Sequence, residues 1–178
     1  MLKAYQDHVE QRAQEGLPPL PLDAEQVTAL VSELKQANNT DSEKYLDLLI
    51  HRVPPGVDQA AYVKAGFLTD VAKGNVSCKV IDAVKATELL GTMMGGYNID
   101  ALIALLDIAE TTDAAEKALS TTLLIYDAYH DVVDKAQTND HAKRVIEAWA
   151  SADWFKARQP LADKITVTVF KVPGETNT

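Results

Sequence analysis

A chain of 178 residues, 47% hydrophobic and 24% charged, has the apolar content to bury one ordinary globular core, which excludes a disordered or fibrous polypeptide. Its formal net charge of -9 argues against a broad phosphate-binding face, because nucleic-acid affinity comes largely from Lys and Arg neutralising phosphates. A single cysteine, Cys78, excludes an internal disulfide, and no CxxC or Cys/His array stands ready to hold a structural metal or a cluster.

The opening residues, MLKAYQDHVEQRAQEG, are amphipathic and charged, unlike the apolar core of a signal peptide. No apolar run reaches the roughly 20 residues of a membrane span, so the expected compartment is the cytoplasm. Leu2, Tyr5, Val9 and Arg12 or Ala13 share one side of an expected first helix, ended by Gly16. LPPLPL, 17–22, then forms a stiff connector, since its prolines lack donors and push their predecessors into extended geometry. Asp23 with Gln26 reads as a capping box for a second helix with Val27, Leu30, Val31 and Leu34 inward, ended by the NNT at 38–40. Thr40 with Glu43 reads as a second box, before Tyr45, Leu46, Leu48, Leu49 and Ile50 of a third helix reaching about Arg52.

Pro54, Pro55 and Gly56 stop that helix, and Asp58 caps a fourth with Tyr62, Ala65, Leu68, Val71 and Ala72 inward and Gly74 at its end. Ala83 to Glu110 reads as a hairpin: a fifth helix opened by Asp82, a turn built on Gly91, Gly95 and Gly96, and a sixth helix opened by Asn98. Asp113 with Glu116 opens a seventh, carrying Leu119, Leu123, Tyr126, Tyr129 and Val133. Asn139 opens an eighth, with Ala142, Val145, Ile146 and Trp149. A short turn around Trp154 and Phe155 follows, Pro160 breaks the pattern, and Ile165–Val172 (ITVTVFKV) alternates as a strand whose partners must come from another chain or from residues beyond Thr178.

Asp58, Asn98 and Asn139 stand 40 and 41 residues apart, and Leu48-Leu49 stand 41 before Leu89-Leu90. That period lies in the range of about 40–47 residues of HEAT-like repeats. The expected fold is therefore all-α, a HEAT-like solenoid of about three antiparallel helix pairs behind a two-helix cap, over 1–160, with 161–178 a linker and the unpartnered strand.

Each group that might carry chemistry has a plainer reading. Asp127, His130, Asp131 and Asp134 have ligand spacing on one helix face, yet Tyr126, Tyr129 and Val133 take the core-seeking side, so the acids read as a solvated face. His8, His51 and His141 are scattered, without carboxylates at ligand spacing, and read as surface or capping residues. Gly91, Gly95 and Gly96 match no phosphate-loop pattern and follow no strand. Cys78, in GNVSCK, lacks a neighbouring base. Trp149, Trp154 and Phe155 read as packing or docking aromatics, and Ser120, Thr121 and Thr122 as helix-surface residues without a triad. The residues alone thus give no catalytic, cofactor-binding or metal site, and point to a scaffold with a curved partner surface.

Three long segments, HRVPPGVDQAAYVKAGFL (51–68), ELLGTMMGGYN (88–98) and KITVTVFKVPGETNT (164–178), look like the N-terminal region of the bacterial aconitate hydratase B family. PLDAEQVTALVSELK (21–35) and ALSTTLLIYDAYHDVVDKA (118–136) are also similar, so the resemblance spans essentially the whole chain. It implies a HEAT-like domain leading, through 161–178 as linker and first strand, into the swivelling domain of a larger enzyme. Full-length members interconvert citrate and isocitrate through cis-aconitate in the tricarboxylic acid cycle, on a [4Fe-4S] cluster held by three cysteines near the C-terminus. None of those cysteines is in this segment, and the family's substrate-binding arginines and serine lie beyond residue 178, so no catalytic residue carries over. The partners implied are the other domains of the same enzyme, a second copy, other enzymes of the cycle and, under an iron-dependent switch, messenger RNA. The acidic charge favours the protein contacts over RNA. An independent helical scaffold and an iron-responsive RNA-binding module are the competing readings.

Overall fold

In the computed structural model, residues 2–36, 40–122, 125, 128–152 and 162–169 are described. They hold nine helices: α1 Leu2–Gln14, α2 Ala24–Leu34, α3 Ser42–His51, α4 Gln59–Ala72, α5 Ala83–Gly91, α6 Ile99–Leu105, α7 Thr112–Ser120, α8 Tyr129–Lys135 and α9 Asp140–Ser151. An isolated antiparallel bridge between Cys78 and Ile81 is the β contact among these residues, and the fold is all-α. The chain divides into two compact units, residues 1–21 with 159–178, and residues 22–158.

In the first unit α1 ends where Gly16 takes φ +70, a left-handed conformation that glycine adopts without a Cβ penalty. The proline connector is tied back to α1: Arg12 Nε donates to the Pro18 carbonyl at 2.9 Å, and the Leu20 amide donates to Nε2 of His8 at 3.0 Å. Residues 165–169 of the expected strand form no strand and are exposed, with Val169 at 85%. Alternation supplies a face, but a strand also needs a neighbouring backbone to take its hydrogen bonds. Phe170 to Val172, with Trp154, Phe155 and Pro160, lie outside the described residues.

The second unit carries the main core. Helices α2, α4, α5, α7 and α9 pack one on the next, with α3 against α2, α6 against α5 and α7, and α8 against α9. The expected pairing of α3 with α4 as one hairpin gives way to α4 lying between α2 and α5. The α2 capping box forms as read: the Gln26 amide donates to Asp23 Oδ1 at 2.8 Å and the Asp23 amide to Gln26 Oε1 at 3.0 Å. All four residues expected to face inward on α2 are buried.

At α3 and α7 the expected capping boxes are not made. Helix α3 starts after Asp41 and has no side-chain cap, because the Asp41 carboxylate meets Lys44 Nζ at 2.7 Å. Helix α7 starts after Thr111, whose buried hydroxyl donates to the Leu105 carbonyl at 3.1 Å, and the expected Asp113–Glu116 box is not made. The single long seventh helix is instead two elements, α7 and α8. Thr121 and Thr122 end α7 by turning their hydroxyls onto the Ala118 carbonyl, at 3.1 and 2.8 Å. Leu123, Tyr126 and Asp127 lie outside the described residues.

Candidate functional site

The turn expected around Gly91–Asn98 is joined by hydrogen bonds to the turn before α4. Gly91 belongs to α5 itself, where a Cβ would fall 2.7 Å from the Ala118 Cβ, so its role is a close crossing of α5 and α7. Past it, the chain docks on the turn before α4. The Met94 amide donates to the Pro55 carbonyl at 2.8 Å, and the Tyr97 hydroxyl donates to the Val57 carbonyl, also at 2.8 Å. A Cβ on Gly95 would lie 2.1 Å from the Gly56 carbonyl oxygen, which explains the glycine there by close backbone approach. The Tyr62 ring meets Tyr97 edge-on at 5.3 Å between centroids.

Two turns 40 residues apart in sequence thus form one joined surface, and its side chains are apolar and outward: Met94 is 74% exposed, Val57 73% and Tyr62 59%. The reading of Tyr62 as a core residue is corrected. Phe67, missed in that reading, is the buried aromatic of α4.

Asn98 does not cap α6. Its Nδ2 reaches back to the end of α5, donating to the Leu90 carbonyl at 2.7 Å and the Met93 carbonyl at 3.3 Å, and leaves Oδ1 buried without a partner. Both carbonyls belong to the last turn of α5 and the residues after it, which need donors once buried. Beside it lies a cavity of about 240 Å³, lined mainly by Thr92, Met93, Ile99, Thr121 and Thr122. Asn139 acts as expected. Its Oδ1 accepts from the His141 and Ala142 amides at 2.9 and 3.1 Å, while Nδ2 donates to the Leu106 carbonyl and to Asp107. Lys135 also bonds to Asp107, and this contact is the main reason its carboxyl is held below the usual carboxylate range.

The titratable cluster of the second unit was not legible from local spacing. Glu116 on α7 meets Arg144 and His141 on α9, from 28 and 25 residues away: Arg144 Nε lies 3.0 Å from both carboxylate oxygens, and His141 Nδ1 lies 2.7 Å from Oε2. Arg144, followed by His141, lowers the Glu116 carboxyl against the opposing effect of burial. Asp113 approaches the same ring nitrogen at 3.9 Å. Asp113, Glu116 and His141 gather donor atoms as a cation would require, but the Arg144 guanidinium, also 2.7 Å from His141 Nδ1, already sits among them. A metal would have to displace a bidentate cation from the carboxylate, so the cluster is an interhelix ion pair.

Among the described residues, the remaining sequence candidates do not converge. His130, Asp131 and Asp134 are exposed on α8, and His51 is 3.7 Å from Asp47, an i, i+4 carboxylate overlooked in the sequence reading. Trp149 packs as expected, its Nε1 donating to the Leu119 carbonyl at 2.8 Å across α7 and α9. Cys78 is half-buried beside the isolated bridge. An iron-sulfur cluster needs several thiolates, and a lone half-buried cysteine does not fit one, so no step of cluster chemistry is placed on these residues.

Comparison with known proteins agrees with the motif reading. The model of the aconitate B N-terminal domain matches residues 4–155. Similar curated proteins include the aconitate hydratase B of Salmonella typhimurium, 58% identical over 179 aligned positions, and that of Escherichia coli, 56% identical over the same length. The Pseudomonas aeruginosa protein of that name is 54% identical. Each alignment covers 100% of this chain and 21% of the relative, so the chain spans about a fifth of the length of the relatives it matches. With the match extending through the α4–α6 turns and both sides of the Glu116 cluster, the chain belongs to the aconitate B N-terminal domain family.

Proposed function

We propose that this chain is the interaction domain of an aconitate hydratase B, without catalytic groups of its own, which docks on the parts of the enzyme that interconvert citrate and isocitrate through cis-aconitate on a [4Fe-4S] cluster. The observation that carries the reading is the joined turn surface, where Val57, Tyr62 and Met94 are exposed together on backbone joined by hydrogen bonds and by close approach at Gly95. Exposed apolar groups on a fixed surface favour a protein partner, since burying them releases water at little ordering cost. The sequential packing of α2, α4, α5, α7 and α9 supports a HEAT-like stack. The domain is taken to extend over 1–160, with 161–178 leading into the next domain, where Ile165 to Val169 would find the strand partners they lack here.

Two measurements test the reading together. The purified chain, after cluster reconstitution, should show no citrate or cis-aconitate turnover, and activity in it would overturn the assignment. In the full-length enzyme, backbone amides of the 56–58 and 93–98 turns should exchange more slowly than in the isolated chain. Equal exchange would remove the docking role.

A further inference from the structure

Gly66 is exposed in the middle of the 14-residue α4. A glycine there weakens a helix relative to alanine, because it gives up more backbone freedom on folding and has no side chain to pack. Nothing within this segment requires it, since a Cβ at Gly66 would meet no atom within 4 Å and its φ is not in the left-handed region. Gly91 in α5 is the contrast: its missing side chain lets α7 cross so closely that a Cβ would fall 2.7 Å from that of Ala118. Gly66 also lies one turn from Tyr62 on the same side of α4, and the Tyr62 ring, 59% exposed, meets Tyr97 of the joined turns. The bare position therefore extends that surface along the helix. In the row α2, α4, α5, α7 and α9, the other four each pack against a further helix, α3 on α2, α6 on α5 and α7, and α8 on α9. Among the described residues, the main contacts of α4 are with its two neighbours in the row.

We propose that Gly66 is the crossing point of an interdomain contact, where a helix of the polypeptide that follows this domain in the full-length protein lies close on α4, as α7 lies on α5 at Gly91. The inference deepens the docking reading of the joined turns and rests on it. Helix axes pack about 8–10 Å apart according to the side chains between them, and a glycine at the contact gives the short end of that range. Two observations select this occupant. The face is continuous, through Tyr62, with the turns read as docked on the rest of the enzyme. In the relatives, residues equivalent to this chain make up 21% of the protein, so most of each polypeptide is covalently tethered to the domain and meets this face at high effective concentration.

The test uses the full-length protein with photo-methionine in place of methionine, so that light links Met94, which is 74% exposed, to whatever touches it, while Met93 is buried. With Gly66 in place, mass spectrometry should find Met94 joined to a residue beyond 178 of the same chain. Gly66→Leu should lower the yield of that cross-link about tenfold and speed amide exchange in the 93–98 turn by a similar factor, because a side chain is forced into a close crossing. Gly66→Ala, which adds one methyl, should shift both readouts in the same direction by less. Exchange in α2 and α5, which pack on α4 inside the domain, should keep its wild-type rate in both variants. A cross-link unchanged in Gly66→Leu overturns the crossing and leaves the docking of the joined turns standing. Faster exchange in α2 and α5 in both variants would show that the domain itself needs the glycine, and overturns the crossing as well. If Met94 of the wild-type protein is joined only to residues within the first 178, to an isotopically distinguished second copy, or to nothing, the docking reading fails and the crossing with it.

Discussion

Gly95 and Gly56 face each other across the joined turns, and the two positions should respond very differently to the same added methyl. A Cβ on Gly95 would sit 2.1 Å from the Gly56 carbonyl oxygen and 2.9 Å from the Val57 amide nitrogen, both backbone atoms that cannot swing aside, while a Cβ on Gly56 meets nothing within 4 Å. Gly95→Ala should therefore lower unfolding stability by about 3 kcal/mol, as overpacking against backbone does, and Gly56→Ala should stay within about 0.5 kcal/mol. Denaturant unfolding of the two variants checks this, and a mild Gly95→Ala would mean the turns are not pressed together. Glu116 offers a second residue-level prediction through pH. Its folded carboxyl titrates below the unfolded value near 4.5, so the ion pair's contribution is fully present above that value and is lost as pH falls through the lowered folded one. Glu116→Gln should cost about 1 kcal/mol at neutral pH, and the gap to wild type should close as the solution is acidified below pH 4.5. A gap independent of pH would assign the loss to packing. The sequence shows Glu116, His141 and Arg144 only as separate residues, because the crossing of α7 and α9 that joins them is a tertiary event and leaves no local spacing.

At the level of elements, capping chemistry and apolar periodicity located most helices, and the misses share a cause. Asp23, Asp58, Asp82 and Asn139 cap as read, since each itself takes extended backbone and finds a free amide two or three residues on. Asn98 has the same residue type and spacing but stands in αR backbone, and its amide answers the stronger demand of buried carbonyls at the end of α5. Periodicity likewise carried the seventh helix through Thr121 and Thr122, where hydroxyl bonds back to Ala118 compete with helix continuation. Asn139 holds two elements at once, and substitutions can separate its roles. Asn139→Ala removes the cap of α9 and should cost about 1–2 kcal/mol. Asn139→Asp keeps an acceptor for the His141 and Ala142 amides, yet it loses the donor to the Leu106 carbonyl and sets a second carboxylate against Asp107, 3.0 Å away. Denaturation at neutral pH should show the Asp variant destabilised as well. An Asp variant as stable as wild type would leave capping as the residue's whole contribution.

For the molecule as a whole, net charge and exposed apolar surface pull in different directions, and their balance decides which partner the joined turns suit. The charge of -9 disfavours a polyanion, whereas Val57 and Met94, each more than 70% exposed, lose nothing from a partner of the same sign if the contact is apolar and close. Placing a carboxylate at each of these positions should leave the fold intact, because neither side chain packs in the core, and stability of the isolated Val57→Asp/Met94→Asp chain should match wild type within about 0.5 kcal/mol. In the full-length enzyme the same pair of substitutions buries two unpaired charges if the surface is docked. The domain should then open more often, seen as faster amide exchange in the 56–58 and 93–98 turns and faster cleavage by added protease. A control at exposed Thr28 on α2, Thr28→Asp, should change neither rate. If the double variant exchanges and cleaves like the control, these turns face solvent in the assembled protein and the docking surface must be sought on another face.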